Sequence, residues 1–133
     1  MRETSPAWTH GVVLICENPR PDGAPKPSCG RARGQAVKSW LKPALQEAGG
    51  AGAGCRVLTT SCLDTCPADG VAIALEPGHK VLVFNPDAPD PQVEQQALLA
   101  RIQAHFDAVG AAAATPEASG GRARRLLGRL RGR

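Results

Sequence analysis

The chain has 133 residues, 42 % of them hydrophobic and 3 % aromatic, with five cysteines and a formal charge of +4. That length suits one domain with a modest core, so the cysteines are not needed as staples. No apolar stretch reaches the 18 residues of a membrane-spanning helix, and MRETSPAWTHGVVLIC lacks a signal-peptide run, so the expectation is a cytoplasmic protein. In that compartment thiols stay reduced and clustered cysteines more often bind metal than form disulfides, and an odd count argues against a disulfide framework.

The charge is uneven. Residues 1–109 hold ten Lys/Arg against eleven Asp/Glu, whereas residues 110–133 hold six arginines against Glu117 alone. The chain therefore divides into a near-neutral body, 1–109, and a basic Ala/Gly/Arg-rich tail, 110–133, which is expected to be disordered apart from an amphipathic turn or two in RARRLLGRLR. Its arginines suit an acidic partner or an anionic surface. Without interleaved aromatics they do not suggest stacking on single-stranded nucleic acid.

Along the body, GVVLIC (Gly11–Cys16) reads as a buried strand. Residues 17–33, with four prolines and two glycines, read as a long loop. From Gln35 to Ala48 apolar residues recur at helical spacing, with Pro43 expected to bend or restart the helix. GGAGAG (49–54) ends it and leads into a second strand, Arg56–Thr60. Two more strands follow, Val71–Leu75 and Val81–Phe84, joined at Pro77-Gly78 in what suits a type II turn. Asp90-Pro91 then reads as an N-cap with a first-turn proline, opening a helix to about Phe106 with Leu98, Ile102 and Phe106 along one side. The order β-α-β, then β-β-α, predicts a small α/β sandwich with a mixed sheet.

Four cysteines then acquire a common address. Cys16 closes the first strand and Cys29 lies in the loop after it, while Cys62 and Cys66 lie in the loop after the second. Parallel strands of a β-α-β unit send both loops out at the same sheet edge. Structural zinc favours two close pairs, which one twelve-residue gap spoils. A redox dithiol wants C-x-x-C, which is absent. A two-iron, two-sulfur (2Fe-2S) cluster needs two thiolates per iron and tolerates loop ligands, and nearby Gly, Ser and Thr expose backbone N–H groups for its sulfurs.

C-x12-C (Cys16, Cys29) and C-x3-C (Cys62, Cys66), within "VVLICENPRPDG…SCG" and "TTSCLDTCPADGVAIAL", resemble the thioredoxin-like 2Fe-2S ferredoxin family over residues 10–106. The resemblance implies a thioredoxin-like β-α-β-β-β-α fold and one cluster on Cys16, Cys29, Cys62 and Cys66. It also implies soluble one-electron transfer to or from a redox-partner protein, with no small-molecule substrate, and commonly a homodimer. The pairing it implies is Cys16 with Cys29 on one iron and Cys62 with Cys66 on the other. Asp64 stands where the family usually has Gly, and Val71 where Pro is common; Asp64 either caps the loop turn or lowers the potential. Alternative readings are a zinc- or cluster-dependent interaction or sensor protein, and a redox-complex subunit resembling the small cluster subunit of NADH dehydrogenase. The first-pair gap is long for the latter.

Cys55 has no partner at family spacing and reads as a small buried thiol. His10, His79 and His105 are scattered, so a His pair on the cluster is not expected. Trp8 and Trp40 read as core or dimer-contact residues. No catalytic constellation is present, and GGAGAG follows a helix rather than a strand, the wrong order for phosphate binding, so the chain reads as an electron carrier rather than an enzyme.

Overall fold

β1 (Gly11–Cys16) sits at the centre of one four-stranded mixed sheet of order β2-β1-β3-β4, with β2 Cys55–Thr60, β3 Val71–Glu76 and β4 Lys80–Phe84. β1 pairs parallel with β2 and antiparallel with β3, and β3 pairs antiparallel with β4. β4 therefore runs with β1 and β2, and β3 runs against them. Three helices complete the order: α1 Arg31–Ala48, α2 Gly50–Ala53 and α3 Pro91–Arg131. The computed structural model describes residues 1–18, 31–65, 67 and 69–131, with side chains for 1–18, 32–65, 67 and 69–112.

Both long helices cover one face of the sheet. Residues directly opposite in a ladder point the same way, so Val13, Val57, Ile73, Leu75 and Leu82 share a face by register. All but Leu82 are buried, and they pack with Val37, Leu41 and Leu45 of α1 and Leu98, Ile102 and Phe106 of α3 in one core. On the other face Val12, Leu14 and Leu58 stay half-buried, and Val81 and Val83 are 44 % and 51 % exposed.

Four local expectations change. α1 begins at Arg31 rather than Gln35: Arg and Ala are good helix formers, and Gly34 permits a close approach to the end of β1. Pro43 lies inside α1, which runs on to Ala48 as one helix. The glycine run forms α2 because the Gln103 side chain from α3 clamps it, accepting from Gly52 N at 2.8 Å and donating to Gly49 O at 2.8 Å. The β3–β4 connection is a three-residue loop with positive φ at both Gly78 and His79, rather than a type II turn.

Asp90 does cap α3, its carboxylate accepting from Val93 N at 3.3 Å. The helix continues well past Phe106, through four consecutive alanines, the residue type with the highest helix propensity, to Arg131. Along it Val109 is still half-buried, while Gly110, Ala111 and Ala112 are exposed.

Candidate metal centre

Parallel pairing puts the ends of β1 and β2 at one edge, with Cys16 in register with Thr60. The ladder extends one bond further, Glu17 N donating to Thr60 O at 2.9 Å. Cys62 follows Thr60 by two residues, so its Cα lies within about 12 Å of that of Cys16, from a strand spacing of about 4.8 Å and two residues of chain. Sequence order alone predicts this convergence, and the geometry bears it out for Cys16 and Cys62. Cys29 and Cys66 lie outside the described residues.

The two thiols differ in setting. Cys16 is 3 % exposed and belongs to the core. Cys62 is exposed. Leu63 holds the loop down by packing against the core, leaving its neighbours Cys62 and Asp64 outward. A group held by both would be rooted in the core and open to the surface.

Asp64 shapes this loop. Its φ of 54° lies in the left-handed region, where an Asp is tolerated and a Gly is unstrained. That conformation turns Asp64 N–H onto Cys62 Sγ at 3.3 Å, and the Cys62 thiol can donate to Asp64 Oδ1 at 3.7 Å. Of the two roles open to Asp64, the turn is the one with visible geometry. Gly70 closes the loop at φ 85°, where a Cβ would come within 2.6 Å of Phe84 O.

Two further elements reach the same edge. The first turn of α1 abuts the end of β1: a Cβ at Gly34 would stand 2.7 Å from Cys16 O. Its N-terminal N–H groups and positive dipole end favour negative charge there. The segment after β4 is tied in by Arg33, whose guanidinium donates to Asp87 at 2.9 Å.

The donor set fits a thiolate-ligated cluster as far as it is described. Two cysteines on one edge are half of the four thiolates such a cluster needs, and an N–H donor on one sulfur and a helix N-terminus suit its negative charge. Among the described residues no three His, Cys, Asp or Glu side chains form a metal-holding group.

The remaining candidates lie at the opposite edge. Cys55 begins β2, in register with Gly11 and roughly 17 Å of strand from Thr60. It is half-buried rather than fully buried, donates to Ala51 O at 3.4 Å, and burial pushes its thiol up to about 11 against a backbone hydrogen bond from Gly11 that lowers it. Its place at the far end of β2 sets it apart from Cys16 and Cys62. His105 Nε2 lies 2.8 Å from Pro77 O, His79 Nδ1 is 3.0 Å from Glu76, and His10 Nδ1 is 3.0 Å from Thr9 Oγ1. All three histidines thus stand across the sheet from Cys62, which agrees with the expectation of no His pair. Trp40 is half-buried against Phe84, with centroids 5.5 Å apart, whereas Trp8 is 40 % exposed and not a core residue. Sequence reasoning missed Gln103, because nothing in its local pattern marks a helix residue that clamps a loop some fifty residues away.

No family model, no curated protein and no solved structure matches the chain.

Proposed function

We propose that this protein is a thioredoxin-like 2Fe-2S ferredoxin, a one-electron carrier that serves a redox-partner protein and does no catalysis of its own. The observation that carries the reading is the parallel register of β1 and β2, which brings Cys16 and Cys62 to one edge with an amide already aimed at a cysteine sulfur. A sheet of order β2-β1-β3-β4 with β3 antiparallel to its neighbours supports the thioredoxin-like part.

Cys16, Cys29, Cys62 and Cys66 would hold the cluster, which when bound accepts and releases single electrons. The residues around it have separable tasks. Cys16 anchors the site in the core, and Cys62 brings it to the surface, where an electron can pass. Asp64 N–H stabilises negative charge on the Cys62 sulfur, and the N-terminus of α1 adds a second favourable field. The half-exposed apolar sheet face of Val12, Leu14, Leu58, Val81 and Val83 supports a homodimer.

The test is a potentiometric titration of the reconstituted protein with metal analysis. Reversible one-electron bleaching of a visible chromophore upholds the carrier reading. A colourless protein carrying zinc favours an interaction protein instead. A cluster that governs binding of a macromolecule but exchanges no electron with a protein favours a sensor.

A further inference from the structure

We propose that the basic end of α3 is an amphipathic anchor for an anionic lipid surface, and that it holds the cysteine edge away from that surface. The choice of a lipid surface over an acidic protein rests on the proposed electron-carrier reading.

The direction of α3 decides the geometry. It starts beside the cysteine edge, just past Asp87, which Arg33 holds. By its middle it has reached the other edge, where Gln103 clamps Gly49 and Gly52 and His105 meets Pro77 O. Gly110 is exposed, nineteen residues from Pro91. At 1.5 Å per residue that is about 28 Å along the helix. The arginine-rich end therefore departs from the side of the sheet opposite Cys62.

The sequence of that end has the composition of a surface-seeking helix. Ala123, Leu126, Leu127 and Leu130 recur at i, i+3, i+4 and i+7, one stripe of a helix. Arg122, Arg124, Arg125, Arg129 and Arg131 fall between and around them in the sequence. Cationic residues flanking a narrow leucine stripe are the pattern of a helix lying in an anionic interface. Among the described residues no helix is long and apolar enough to cross a membrane, so the association is with the surface.

An acidic redox partner fits this placement less well. A partner taking electrons must sit close to the cysteine edge, and a tail leaving from the far edge draws it to the wrong side. A lipid surface gains from the same placement, because the anchored protein keeps its cysteines toward the solvent.

The full-length chain is sedimented with phosphatidylcholine vesicles, with and without phosphatidylglycerol, at about 0.1 M salt, where exposed charges still act over roughly 10 Å. The expected result is binding to the anionic vesicles alone. R124Q/R125Q/R129Q weakens it on the order of a hundredfold, from the contribution of each arginine near an anionic surface. L126Q/L127Q/L130Q, at unchanged charge, weakens it at least tenfold. Unchanged circular dichroism of the body in both variants excludes misfolding. Absence of binding, or equal binding to both vesicles, overturns the proposal. Binding that ignores the leucines and is matched by immobilised polyglutamate also overturns it, in favour of an acidic polypeptide partner.

Discussion

The two edges of this sheet carry the same residue type to opposite ends. Where β1 and β2 finish, Cys62 sits exposed on a loop with an amide on its sulfur; where β2 begins, Cys55 is half-buried, donates to a carbonyl and resists ionisation. One strand separates them. The difference teaches that the loop after β2 exposes a thiol to an N–H donor, whereas the start of β2 half-buries one against a carbonyl; Cys16, at the end of β1, is buried more deeply than either.

The sharpest way to break this comparison is to remove each thiol in turn. Cys62→Ala is expected to abolish bound iron and sulfide, and Cys55→Ala to leave both unchanged, measured by metal and sulfide analysis. Retention in the first or loss in the second would reverse the roles of the edges.

Alkylation against pH comes next. With its pKa lifted from 9.0 to about 11, Cys55 holds about a hundredfold less thiolate near neutral pH than an ordinary thiol and should alkylate correspondingly slowly. Folding favours the neutral thiol, so this contribution is intact below pH 9 and is lost as pH rises toward 11. Mass-spectrometric mapping of alkylated peptides checks it.

Backbone contacts sharpen the comparison further. Gly34→Ala forces a Cβ against the Cys16 carbonyl and should cost about 1–3 kcal/mol, the usual range for overpacking, read from the urea midpoint. Asp64→Gly removes the left-handed strain of a β-carbon and is expected to stabilise by about 0.5–1 kcal/mol, while Asp64→Val costs more than that. The smallest effect belongs to Asp87→Asn. It breaks an ion pair whose partners are 31 % and 79 % exposed, worth at most about 0.5 kcal/mol and lost in high salt.

Much of this was legible before any coordinates, because the signals were local. Short apolar, β-branched runs marked the four strands to within a residue or so, and Asp90-Pro91 marked the start of α3. The convergence of Cys16 and Cys62 followed from the direction of two parallel strands. What stayed hidden rests on distant partners. Glycines disfavour a helix, yet Gly50–Ala53 is one because Gln103 supplies hydrogen bonds from another element. The left-handed φ of Asp64 and its hydrogen bond to Cys62 depend on the loop's path, which its local sequence does not spell out.

The most direct measurement is iron and sulfide content with electron paramagnetic resonance of the protein purified without oxygen. The account predicts a brown protein with two irons and two sulfides per chain and, on one-electron reduction, a rhombic S = 1/2 signal. A protein that stays colourless after reconstitution with iron and sulfide, holding zinc or no metal, would contradict it.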